Sequence, residues 1–192
     1  MSEFLKTELS LDADGLVSGA RYVASPNCDE RDPGFELEAI IVHCISLPPG
    51  VYGGEEVIDF FTNSLDASEH DYFAEIAHLT VSAHFYIRRD GELIQFVPAD
   101  KRAWHAGESV CLGRPKVNNF SIGIELEGLD TDDNGFTTRQ YQQLNRLIAC
   151  LRQHYPKIEP QNLFAHSDVA PGRKPDPGPY FDWNKVIKLA VA

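Results

Sequence analysis

Ser121-Ile122-Gly123-Ile124-Glu125-Leu126-Glu127 alternates between two kinds of residue with period two, the pattern of a β-strand. Ile122, Ile124 and Leu126 share one face, and Ser121, Gly123, Glu125 and Glu127 share the other. Taken alone, the pattern places Glu125 on a solvated face. The other reading is that this face lines a cleft. Gly123 then leaves room for substrate, and Glu125 can serve as a general base toward water.

Outward from this strand the chain mixes strands with helices. Ala39–His43 is an apolar run that reads as a buried strand, stopped by Leu47-Pro48-Pro49-Gly50. Short helices are predicted near Glu56–Asn63 and Ser68–Ala77. Ala83–Arg89 and Glu92–Val97 flank Asp90-Gly91, a hairpin signal. Residues 98–120 have no regular period. Thr138 is expected to cap a helix running to about His154, with Leu144, Leu147, Ile148 and Leu151 as its apolar stripe. Asn162–Ala165 reads as a short strand, and Asp182 as the cap of a last helix, about Trp183–Val191. The order of elements predicts an α/β fold, a single domain with a central mixed β-sheet flanked by helices. Residues 1–18 are expected to form an N-terminal arm and residues 19–192 the catalytic domain.

Chemistry-bearing residues gather in His166-Ser-Asp-Val-Ala-Pro-Gly-Arg-Lys-Pro-Asp-Pro-Gly-Pro179. His166 follows a strand, and Asp176 lies on a loop stiffened by proline. His43 ends another strand. Each of these is, alone, more often an ordinary core or turn residue than a ligand. Together, two imidazoles and a carboxylate suit zinc, and three protein ligands leave a coordination position open for catalysis. Trp104 and His105 lie in the irregular segment, where an aromatic can stack on a sugar or simply pack locally. Asp130–Gly135 begins like an EF-hand loop, but position twelve is Tyr141, so the calcium reading fails.

Composition narrows the classes. The chain has 192 residues, enough for one core, and a net charge of -12. That charge disfavours nucleic acid and anionic membranes as partners. An anionic substrate needs local cations, for which Arg102, Arg114, Lys116, Arg173 and Lys174 are available. The N-terminus lacks the apolar core of a signal peptide, no apolar run is long enough to span a membrane, and Cys28, Cys44, Cys111 and Cys150 form no CxxC pair. A cytoplasmic protein with reduced thiols is expected.

These residues carry a family resemblance. Ile45–Gly50, Phe73–Leu79, Val81–His84, Arg102–Gly107, Phe120–Gly128 and Asp176–Pro179 resemble, in the same order, segments of the zinc-dependent N-acetylmuramoyl-L-alanine amidases of the type-2 amidase and peptidoglycan-recognition fold. The likeness is greatest to the branch acting on 1,6-anhydromuropeptides, and runs from about Gly19 to Val186. It implies zinc held by His43, His166 and Asp176, Glu125 as catalytic glutamate and Lys174 as catalytic lysine. It also implies hydrolysis of the amide joining the lactyl group of (1,6-anhydro-)N-acetylmuramic acid to L-alanine, in cell-wall recycling, by a monomer. The resemblance thus reverses the solvated-face reading of Glu125. Cys44, Thr80 and Lys116 depart from the family's usual Asn, Arg and Arg, at positions associated with substrate contacts. Two other classes are open: a fragment-binding protein without hydrolysis, and a protein using zinc only structurally.

Overall fold

A computed structural model describes residues 8–186. In chain order the strands are β1 (Arg21–Tyr22), β2 (Cys28–Asp29), β3 (Ala39–Ile45), β4 (Phe85–Ile87), β5 (Leu93–Gln95), β6 (Arg102–Ala103), β7 (Val110–Cys111), β8 (Arg114–Pro115), β9 (Ser121–Glu127) and β10 (Leu163–Ala165). The helices are α1 (Glu56–Phe61), α2 (Asp71–Ile76), α3 (Thr138–His154) and α4 (His166–Val169). Six strands form one sheet in the order β1-β5-β4-β9-β3-β10. Its pairs are parallel except β4 with β5, the hairpin turned by Asp90-Gly91. The expected mixed sheet flanked by helices is therefore present.

The centre of the sheet is β9 between β4 and β3. Its apolar face meets α3: Ile122, Ile124 and Leu126 share a core with Ile40, Val42, Leu144, Leu147, Ile148 and Leu151. Burying an apolar side chain of this size contributes roughly 1.5–3 kcal/mol, so this stripe is what docks α3. The opposite face carries Ser121, Gly123, Glu125 and Glu127, yet all seven residues of β9 are buried. The irregular segment 98–120 lies over that face, with Ala106, Val117 and Phe120 packed on Ala39 and Ile41. The solvated-face reading of Glu125 fails for that reason: alternation marks which side chains share a face, not what covers it.

Several boundaries differ from expectation, and the two hairpin strands and the second short helix are shorter at both ends. The first long strand continues past His43 to Ile45, because β9 pairs with it through Glu127. The last helix is a 3-10 turn at Trp183–Lys185 with Asp182 accepting from the Asn184 amide; the rest of the expected helix, beyond Val186, lies outside the described residues. The cap of α3 is Thr137, not Thr138. Its side chain accepts from the Gln140 amide while Gln140 reaches back to the Thr137 amide, a closed capping box. Thr137→Ala is therefore expected to lower stability by about 1 kcal/mol and Thr138→Ala by much less, measured as the shift in urea midpoint at constant slope.

The segment before β1 packs on the core, with Leu9 and Leu11 against the cluster that holds α3 and with Gly15 and Val17 reaching β5. Val17 is buried and its amide donates to the Gln95 side chain at 2.8 Å. No helix among the described residues is long and apolar enough to cross a membrane.

Candidate active site

The carboxyl ends of β3, β9 and β10 open into a cleft of about 320 Å³. In an open sheet with parallel strands this is where side chains from several strands can meet a ligand. In the register, His43 on β3 lies beside Glu125 on β9, and Glu125 beside Tyr86 on β4. His166 follows directly on β10, in parallel register with β3. Asp176 returns on the loop after α4, where the Ser167 amide donates to the Asp176 carbonyl at 2.9 Å. Gly178 closes that loop. Its φ is +83°, and a Cβ there would lie 2.2 Å from the Asp130 carbonyl oxygen, so only glycine fits.

His43 Nδ1 lies 2.9 Å from His166 Nδ1. Asp176 Oδ2 is 3.0 Å from His166 Nδ1 and 3.3 Å from His43 Nδ1. Among the described residues these three form the one group of such side chains close enough to share an ion. Ligands of a tetrahedral zinc at about 2.0–2.1 Å are roughly 3.3 Å apart, so the triangle matches that coordination closely. The donor set fits as well. The other ring nitrogen of His166, Nε2, faces the Ala106 carbonyl at 3.2 Å, which leaves Nδ1 a bare lone pair pointed at a carboxylate. Electron-rich atoms packed this closely call for a cation between them.

Burial dominates the electrostatics. It pushes His43 down to about 4, against the opposing hydrogen bond to Asp176. Burial alone raises the Asp176 carboxyl, but the close approach of the His166 and His43 rings outweighs it and holds Asp176 well below the usual carboxylate range. Glu125, 9% exposed, is pushed well above its ordinary value, first by burial and then by Asp176, with Lys174 opposing. Glu125 Oε2 has no hydrogen-bond partner among the described residues. A buried carboxyl oxygen left unpaired is costly, and it is available to a group that enters the cleft.

Of the five cations considered for an anionic substrate, only Lys174 lines this cleft. Arg102 is held by Asp29 and Asp32, Arg114 by Glu38, Lys116 by Asp32, and Arg173 by the carbonyls of Glu108 and Ala106. Cys44 lines the cleft next to His43, with its thiol 3.9 Å from the Pro177 carbonyl, and burial raises its pKa strongly. Thr80 is exposed. Trp104 lines the cleft and its indole donates to Asp29 at 3.2 Å. Phe60, Phe61, Tyr72, Ile76 and Leu79 form an apolar wall that sequence reading missed. No periodic signal pointed to it, because the two helices that carry Phe60, Phe61, Tyr72 and Ile76 are only six residues long. Gly123 leaves space for the His105 ring rather than for substrate: a Cβ there would lie 2.4 Å from His105 Cγ.

The N-acetylmuramoyl-L-alanine amidase family profile matches residues 33–179. The chain is 53% identical over 175 residues to the 1,6-anhydro-N-acetylmuramyl-L-alanine amidase AmpD of Escherichia coli K12, covering 91% of this chain and 94% of that protein. A crystal structure of an AmpD selenomethionine derivative superposes with a TM-score of 0.88 at 51% identity, covering 92% of this chain and 96% of that one. The amidase AmiD of E. coli, in complex with the substrate anhydro-N-acetylmuramic acid-L-Ala-D-γ-Glu-L-Lys, superposes with a TM-score of 0.58 at 27% identity, covering 93% of this chain and 64% of that one.

Proposed function

Because this chain belongs to the N-acetylmuramoyl-L-alanine amidase family, we propose that it is a zinc-dependent hydrolase of anhydromuropeptides. The bond cut is the amide between the lactyl group of 1,6-anhydro-N-acetylmuramic acid and L-alanine, a step of cell-wall recycling carried out by a cytoplasmic monomer. The catalytic domain is assigned to residues 19–192, with 1–18 as an N-terminal arm. The observation that carries the reading is the convergence of His43, His166 and Asp176 at the floor of a cleft that also holds the unpaired Glu125 carboxyl. The relatives' names support the substrate class.

His43, His166 and Asp176 hold the metal. A zinc ion bound there supplies Lewis acidity, which polarises an amide carbonyl and lowers the pKa of water. Glu125 takes a proton from the attacking water at Oε2, the oxygen with no partner of its own. Its raised pKa suits the task, since burial makes this carboxylate a stronger base than an ordinary glutamate, better able to take the proton and hold it until the nitrogen departs. The same oxygen then returns the proton to the departing alanine nitrogen. Lys174 donates from Nζ to the carbonyl oxygen as negative charge develops there. The apolar wall of Phe60, Phe61 and Tyr72 excludes bulk water, which strengthens these interactions.

Incubation of the purified protein with an anhydromuropeptide, with and without chelator, tests the reading. Mass spectrometry is expected to show free peptide and free 1,6-anhydro-N-acetylmuramic acid only without chelator, with zinc restoring turnover. Products released equally in both reactions reject the metal dependence, and no products from metal-replete protein reject the substrate.

A further inference from the structure

The Trp104–Gly107 segment touches both imidazoles of the triad on the sides away from Asp176. His43 Nε2 lies 3.0 Å from His105 Nδ1. His105 Nε2 lies 3.2 Å from Ser121 Oγ, and that hydroxyl lies 2.7 Å from the Val117 carbonyl oxygen. A carbonyl only accepts, so Ser121 donates its proton to Val117. The Ser121 oxygen then accepts from His105 Nε2. A neutral imidazole carries one proton, so His105 Nδ1 is an acceptor and His43 donates to it from Nε2. His43 Nδ1 is left as a lone pair aimed at His166 and Asp176. For His166 the chain of partners is one step long: Nε2 donates to the carbonyl of Ala106, the residue that follows His105.

The segment is built to stay in place. The Trp104 amide donates to Ser82 Oγ at 3.0 Å, and the Ala106 amide to Asn118 Oδ1 at 2.8 Å. The His105 ring lies over Gly123, mid-strand in β9, where any side chain would collide with it. His84 meets the ring edge-on at 5.7 Å between centroids, and His84 Nδ1 in turn accepts from the Gly123 amide.

We propose that His105, seated on Gly123 and oriented by Ser121, is a positioning residue that sets the tautomer and tilt of His43, while the adjacent Ala106 carbonyl does the same for His166. One four-residue segment thereby pre-organises both imidazole ligands. Partners of this kind govern metal affinity as well as ligand orientation. The proposal rests on the reading of His43 and His166 as metal ligands.

The test measures zinc affinity of the full chain by competition with a chromogenic chelator. Alongside it, long-range ¹H–¹⁵N NMR of the zinc-free protein reports which nitrogen of His43 carries the proton, since zinc on Nδ1 would by itself force that proton onto Nε2. Wild-type protein is expected to bind one zinc and to show His43 protonated at Nε2. His105→Ala is expected to bind zinc about 10–100-fold more weakly and to lose that signature. Gly123→Ala, which displaces the ring, is expected to follow it. His105→Gln can accept from His43 and donate to Ser121, and is expected to recover most of the affinity. Wild-type affinity and an unchanged His43 signature in His105→Ala overturn the proposal. If His105→Ala fails to fold, Ser121→Ala removes a single oxygen and is expected to weaken zinc several-fold; the same null result there overturns it equally. A wild-type chain that takes up no zinc, or a His43→Ala chain that binds it as tightly, sinks the ligand reading itself and is distinguishable from a failed relay.

Discussion

The Glu125→Gln protein is expected to bind its metal as wild type does and to hydrolyse anhydromuropeptide about 10²–10⁴-fold more slowly, the usual share of general acid–base catalysis. Gln has the same shape as Glu, so the packing around this buried position survives and the loss is chemical. What Gln removes is the ability of Oε2 to take a proton from water and return it to the leaving nitrogen. The position is constrained on both sides, with β3 and β4 in register at His43 and Tyr86. Bulk water has little access to the position, because Glu125 is only 9% exposed. Single-turnover rates and zinc content measured on one preparation check the expectation. Full turnover with normal zinc removes Glu125 from the proton transfers.

Lys174→Ala is expected to lower kcat about 10²–10³-fold while leaving KM and zinc content nearly unchanged, as removal of one oxyanion donor typically does. The side chain is exposed on the loop between α4 and Asp176, so truncation has little effect on folding. Of the five cations first considered it is the one that lines the cleft, and its charge favours the ionised form of Glu125. A change confined to KM assigns Lys174 to ground-state binding instead. An unchanged kcat removes it from the reaction.

Much of the fold was legible where a period ran long enough. The strand Ser121–Glu127 and the helix ending at His154 have the expected bounds, because seven alternating residues, or an apolar stripe at helical spacing between clear stop signals, leave few alternatives. The hairpin at Asp90-Gly91 was legible from its turn chemistry. The α3 cap was misread by one residue, since two threonines stand side by side and only the backbone geometry shows which one is extended. The apolar wall of the cleft was not legible. Helices of six residues are too short for periodicity to tell a core face from a cleft face.

The candidate site divides in the same way. His43, His166, Asp176, Glu125 and Lys174 could be named from residue type, strand ends and family likeness. Gly123 was noticed for the right reason, the need for space, but assigned the wrong occupant. His105 was ambiguous because its segment has no period.

By itself the sequence determined the alternation of β9, the stripe of α3, the stiff proline loop and the supply of ligand-type side chains, all properties of neighbours along the chain. Only the tertiary structure decided that the polar face of β9 is buried, which cations are already paired, and which nitrogen of each imidazole is bare. Those depend on groups far apart in sequence, His43 meeting His105 across 62 positions and His166 across 123. A proton's place on a ring is set by the donors and acceptors around it, and folding alone brings them there.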